Sequence, residues 1–158
     1  TDKVIEKGDL VTVDIGAVWQ GYNSDMTRTI FAGEEAPAES VKLFKLINQA
    51  HKIGLSHVKP GVKWGKADVE VRKFFQEHNV LQYYNHSLGH GVGVEVHEMP
   101  SISSRSMEDD QILKEGMVLT IEPGLYKPGV GGGRTEDTVV VTADGYRKLT
   151  HCEYLYYD

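Results

Sequence analysis

Four carboxylates fall at matching places in this sequence. The stretches GDLVTVDIG at residues 8–16 and GMVLTIEPG at residues 116–124 are near copies, and each carries an acid just before its closing turn, Asp14 in one and Glu122 in the other. Beyond each lies a reversal and a second acid, Asp25 and Glu136. If the strands fold back at Trp19, Gln20 and Gly21, Asp14 opposes Asp25; if they fold back within the glycine-rich run from Lys127 to Gly133, Glu122 opposes Glu136. Opposed residues of an antiparallel pair place their Cβ atoms about 4.5–5.5 Å apart on one face. Two ionised carboxylates that close repel, and a divalent cation between them relieves the repulsion. For a single acid, a solvated strand end is the ordinary reading. Here each first acid follows an apolar run, Leu10 to Val13 and Met117 to Ile121, that reads as buried strand, and a buried carboxylate needs a cation or several donors.

A third chemical element lies between the hairpins, the run HSLGHGVGVEVHE from His86 to Glu98. His86 and His90 have the spacing of a helical zinc pair, but Ser87 stands where that motif needs glutamate and Gly89, Gly91 and Gly93 disfavour a helix. The run therefore reads as a strand segment in which glycines let other backbone approach the His90 imidazole. One histidine completes a five-ligand set with the four acids, and the other two are left for substrate and proton handling.

These groups need elements to hold them. Alternating Val11, Val13 and Ile15, then Thr27, Thr29 and Phe31, predict a first hairpin over residues 9–32. From Pro37 to about Val58, apolar residues at Val41, Phe44, Ile47, Ala50 and Leu55 recur near helical spacing and predict a core-facing helix. A turn at Lys59, Pro60 and Gly61 precedes a second helical stretch, Lys66 to His78, ended by Asn79. From Leu81 to Leu149 the chain reads as short strands, glycine-rich turns and a polar loop at Ser101 to Asp110.

Composition narrows the class. The 158 residues, 40% apolar, suffice for one core and offer no interdomain linker. No run approaches a membrane span, and a net charge of −6 argues against nucleic-acid backbone as a partner. The single cysteine, Cys152, rules out an intrachain disulfide and fits a reducing compartment, here taken as the cytoplasm.

The ordered set VDIG with Asp14, GYNSDMTRT with Asp25, GHGVGVEVHE with His90, TIEPG with Glu122 and RTEDT with Glu136 resembles the pita-bread metallopeptidases, the superfamily of methionine aminopeptidase, aminopeptidase P, prolidase and creatinase. SDMTRT and RTEDT are more similar to the Xaa-Pro peptidase branch than to methionine aminopeptidase. The resemblance implies an α+β pita-bread fold, an antiparallel curved sheet with helices on its outer face, and two divalent metal ions. Family habit favours Mn2+, and the oxygen-rich donor set also suits Co2+ or Zn2+. Asp14 would bind one ion, His90 with Glu122 the other, and Asp25 with Glu136 would bridge both and activate a water as hydroxide. Glu122 would also accept that water's proton, His86 and His97 would serve the leaving nitrogen and the oxyanion, and Arg134 would orient carboxylates or substrate. The implied substrate is a peptide with penultimate proline. Methionine aminopeptidase, or a non-catalytic protein-binding relative, are the alternatives.

The same resemblance makes residues 1–158 a single catalytic domain without the N-terminal helices of the full fold or a separate N-terminal domain. In the family each hairpin has its own helices, and the only helical stretches here follow the first hairpin. The expectation is a truncated fold whose first hairpin bares apolar surface, to be covered by an N-terminal segment of the same protein or by another copy in a homo-oligomer.

Overall fold

The computed structural model describes residues 2–33 and 35–155. In chain order it contains β1 (Leu10–Ile15), β2 (Val18–Trp19), β3 (Tyr22–Asn23), β4 (Met26–Phe31), α1 (Ala38–Ser56), α2 (Lys66–Glu77), a 3-10 turn (Leu81–Tyr83), β5 (Gly89–Gly91), β6 (Glu98–Ile102), β7 (Val118–Ile121), β8 (Gly124–Lys127), β9 (Gly131–Arg134), β10 (Asp137–Val141) and β11 (Tyr146–Lys148). A five-stranded antiparallel sheet in the order β11-β10-β7-β5-β6 is flanked by two-stranded ribbons β1-β4, β2-β3 and β8-β9.

Side-chain parity decides which residues form the core. Leu119 and Ile121 on β7, with Val139 and Val141 on β10, are buried together with Leu43, Phe44, Ile47, Ala50 and Leu55 of α1. Period 2 on the strands and period 3.6 on the helix thus supply complementary apolar faces. Burying a side chain the size of Phe44 or Ile47 contributes about 1.5–3 kcal/mol. Gly54 lets α1 sit close to the sheet, because a Cβ there would lie 2.8 Å from Ile121 Cγ2 and 3.2 Å from Leu88 Cδ2. The alternate residues, Thr120 on β7 and Thr138 on β10, face the other side, toward the acids.

Each long hairpin interrupts its strand pairing for two residues per side. In the first, β1-β4 and β2-β3 share one register, with Asp14 opposite Thr27 and Val18 opposite Asn23, broken at residues 16–17 and 24–25. In the second, β7-β10 and β8-β9 share one register, with Ile121 opposite Asp137 and Gly124 opposite Arg134, broken at residues 122–123 and 135–136. Continuing that register through the gap puts Glu122 opposite Glu136, as the sequence led one to expect.

The first hairpin departs from expectation in two ways. Its reversal is the pair Gln20 and Gly21, both at positive φ (49° and 85°), as a two-residue primed turn requires. Trp19 belongs to β2, so the register moves by two residues: Asp14 opposes Thr27, and Asp25 lies diagonally beyond on the same face. The run Leu10 to Val13 is also not buried strand. Leu10 and Val11 are half-covered, Val13 and Ile15 are 40% and 54% exposed, and Asp14 itself is exposed. Among the described residues no helix packs on that face, and alternation alone cannot say whether an apolar face has a partner.

Candidate metal centre

The fold gathers four acids and a histidine, and Asp14, His90 and Glu122 among them line one cavity. Ligand atoms of Asp14, Asp25 and Glu136 lie within 4.8 Å of one another, as do those of His90, Glu122 and Glu136 and those of Asp25, His90 and His97. Each group is delivered by a local feature of the chain. Asp25, Glu122 and Glu136 sit in the gaps of the two hairpins, where the strand ladder yields and carboxylates can turn inward. His90 is the middle residue of β5, between glycines that let β5 approach its neighbours. A Cβ on Gly89 would lie 2.0 Å from the Thr120 carbonyl oxygen, and one on Gly91 would lie 2.2 Å from that of Met99.

Burial grades the acids. Glu136 is 1% exposed and Asp25 8%, Glu122 is half-buried, and Asp14 stands at the rim. Burial, then the charge of Glu122, pushes the Glu136 carboxyl up to about 8; burial and the charge of Asp14 raise Asp25. Glu136 accepts a 2.6 Å hydrogen bond from Thr27 Oγ1 on Oε2, while its buried Oε1 has no hydrogen-bond partner. An acceptor stranded among like charges is what a cation would satisfy. Burial works against protonation of His90, yet its 3.2 Å contact with Glu122, the Gly91 carbonyl and the charge of Asp25 together push it up to about 9. The donor set of one imidazole and four carboxylates fits hard or borderline divalent ions.

The residues assigned to substrate line the same cavity of about 630 Å3, which is bounded by Asp14, His86, His90, His97, Glu122, Tyr126 and Arg134 among others. His86 donates from Nδ1 to the Ser87 carbonyl at 2.7 Å, its Nε2 is buried without a partner, and burial lowers its pKa. His97 is exposed at the mouth, its ring 4.2 Å from that of His90, near enough to join Asp25 and His90 as a ligand. Arg134 holds the rim: it pairs with Asp14, donates to Tyr126 Oη at 2.7 Å and Thr27 Oγ1 at 3.2 Å, and lies 3.6 Å from Glu122.

Over 154 residues the chain is 47% identical to the Xaa-Pro dipeptidase of Pyrococcus horikoshii, covering 97% of this chain and 42% of that protein. The sequence profile of metallopeptidase family M24 matches residues 1–143. The chain belongs to metallopeptidase family M24. The prolidase of Pyrococcus furiosus superposes on this M24 chain with a TM-score of 0.91 at 44% identity, over 97% of this chain and 44% of that one. The X-Pro aminopeptidase of Thermotoga maritima gives 0.91 at 37% identity, over 98% and 43%. The fold is therefore the pita-bread fold, and this chain spans less than half the length of those relatives.

Several site residues of this M24 chain escaped the sequence reading, and all are hydroxyls. Thr120 Oγ1 accepts from the His90 amide at 3.1 Å and donates to Glu122 Oε1 at 3.3 Å, linking two of the candidate ligands. Thr27 bonds Glu136, and Thr138 Oγ1 donates to the Asp25 carbonyl at 2.7 Å, so each hairpin lends a threonine to the other's acid. The signal was present as an acid-x-Thr repeat, Asp25-Met26-Thr27 and Glu136-Asp137-Thr138. Tyr126 gave no such signal, because only the fold of the second hairpin brings it to Arg134.

Proposed function

We propose that this chain is the metal-binding part of a peptidase that hydrolyses the bond between an N-terminal residue and a following proline. The observation that carries the reading is the Glu136 carboxylate, buried with one oxygen unpartnered and surrounded by Asp25, Glu122 and His90. M24 membership and the activities named for the Pyrococcus and Thermotoga relatives support the reaction class and the place of proline in the substrate.

In this reading Asp14, Asp25, His90, Glu122 and Glu136 would together hold two divalent ions. Bound there, the ions supply Lewis acidity, lowering the pKa of a water and polarising a carbonyl. The protein's own groups do the rest. Glu122 faces the cavity with Oε1 held by Thr120 and accepts the proton of the attacking water. The Ser87 carbonyl fixes the Nδ1–H tautomer of His86, leaving Nε2 to take a proton and pass it to the proline nitrogen, which as a tertiary amide has no hydrogen of its own. His97, at the mouth, serves the oxyanion. Arg134 orients Asp14 by a hydrogen bond from Nη2 and attracts Glu122 across 3.6 Å from Nε. Residues 1–158 act in this scheme as one catalytic unit, joined in the whole protein by the upstream part that its relatives possess.

The test uses the full-length protein, stripped with chelator and reloaded with Mn2+, Co2+ or Zn2+. Two ions per chain and cleavage of Xaa-Pro and Xaa-Pro-Xaa peptides over Met-Ala peptides are expected. Preference for N-terminal methionine would replace the reading with methionine aminopeptidase. A protein that binds no divalent ion is a non-catalytic relative, and the proposal fails.

A further inference from the structure

The two hairpins meet along their return strands, and no strand pairing joins them: β4 belongs to one sheet and β10 to another. The seam is antiparallel and is closed mostly by side chains. Thr29 Oγ1 donates to the Arg134 carbonyl at 2.9 Å, the Glu136 amide donates to the Thr27 carbonyl at 3.1 Å, and Thr138 Oγ1 reaches the Asp25 carbonyl. At the middle of this seam lies Arg28, 8% exposed, a cation that the candidate metal centre does not use.

Arg28 Nη1 donates to two carbonyls at once, Thr27 at 2.9 Å and Glu136 at 2.5 Å, one from each hairpin. Its Nη2 is anchored on Asp137 Oδ1 at 2.8 Å and on the Cys152 carbonyl at 3.3 Å, and its guanidinium lies 4.3 Å from the Tyr154 ring centroid. Asp137 is fully buried and is itself held by Lys148 at 2.9 Å, by Thr150 Oγ1 at 2.8 Å and by the Tyr154 hydroxyl. The guanidinium is thus fixed from behind by the C-terminal residues and grips the seam in front. The acids it aligns are Glu136, whose own carbonyl it holds, and Asp25, two residues before Thr27.

We propose that Arg28 is a positioning residue of the metal centre, its Nη1 setting the separation of Asp25 and Glu136 by bridging the Thr27 and Glu136 carbonyls while Nη2 is anchored on Asp137. This rests on the reading of those acids as shared metal ligands. A lysine keeps the charge but offers a single ammonium where the fork reaches two carbonyls and a carboxylate together. Loss of the fork lets the hairpins shift, so the site keeps an ion that one hairpin can hold and loses the pair that needs both. Supporting residues of this kind set metal affinity by about 10–100-fold.

The experiment loads Mn2+ into full-length wild type, Arg28→Lys, Arg28→Met and Val71→Ala, and follows uptake by calorimetry and low-temperature electron paramagnetic resonance. Val71→Ala truncates a buried core side chain on α2, outside the Arg28 and Asp137 network, and is the control for mere destabilisation. Wild type and Val71→Ala are expected to bind two ions with a spin-coupled signal. Both Arg28 variants are expected to bind the second ion at least about tenfold more weakly and to show uncoupled Mn2+. Should neither Arg28 variant fold, Tyr154→Phe carries the test: it loosens the anchor from outside the seam and is expected to weaken the second ion selectively, with wild-type affinity for both ions overturning the proposal. Folded Arg28 variants with two tightly coupled ions overturn this inference alone. Wild type that takes up no divalent ion overturns the metallopeptidase reading and this inference with it.

Discussion

Replacing Gly89 by alanine tests how His90 is held. Gly89 is in a strand and has no positive φ, so conformational freedom is not at stake. The built Cβ would lie 2.0 Å from the Thr120 carbonyl oxygen and 2.8 Å from its carbon, both backbone atoms of β7. Real Cβ contacts stay beyond 3.0 Å, so β5 must move from β7 by about 1 Å or more. That movement stretches the Glu122 amide to Leu88 carbonyl bond, 2.8 Å, and the His90 amide to Thr120 hydroxyl bond, 3.1 Å. Overpacking of this kind costs roughly 1–3 kcal/mol, and each lost hydrogen bond adds about 1. The expected destabilisation is about 2–5 kcal/mol, read from urea unfolding of chelator-treated full-length protein. A displaced His90 should also weaken divalent-ion binding in calorimetry. Gly145→Ala is the control, since nothing lies within 4 Å of its added Cβ, and it should change stability by less than about 0.5 kcal/mol. Wild-type stability and metal affinity in Gly89→Ala would refute the claim that close backbone approach positions the histidine.

Further outcomes follow from the charges. Because the folded carboxyl of Glu136 is raised from 4.5 to about 8, the metal-free protein loses stability as pH rises through that window, by roughly 3 kcal/mol at neutral pH. Glu136→Gln should therefore be more stable than wild type at pH 8 without metal, match it near pH 4.5 in thermal melts, and lose the stabilisation by added Mn2+. His51 is buried on α1 beside Asp137, and burial holds its pKa down to about 3 from 6.5. Its contribution is intact above pH 6.5 and lost as pH falls toward 3, by ~1.4 kcal/mol per unit, so His51→Asn should show a shallower acid slope in urea unfolding. Arg134→Lys should lower kcat/KM on an Xaa-Pro peptide by about 10–100-fold with little change in melting temperature, because one ammonium cannot serve Asp14, Tyr126 and Thr27 together. An unchanged kcat/KM would remove Arg134 from the site.

The sequence by itself singled out a set of candidate metal ligands and determined most of the elements that carry them. The repeated acid-bearing stretches, the glycine-flanked histidine and the helical stripe from Pro37 reflect local periodicity and chain order, which are written directly in residue types. It also placed Glu122 opposite Glu136, since the reversal at residues 128–130 falls midway between them. Tertiary structure alone decided the rest. The register of the first hairpin turned on Gln20 accepting a left-handed conformation, a preference too weak to read from type, and a two-residue shift moved Asp14 from opposite Asp25 to opposite Thr27. Whether Val13 and Ile15 were covered depended on what packs against them, not on their alternation. The seam between hairpins depended on contacts between residues more than 100 positions apart, in which Thr27, Thr138 and Arg28 acquire partners that no local pattern announces. Periodicity encodes which face a side chain takes, but only the assembled fold decides what that face meets.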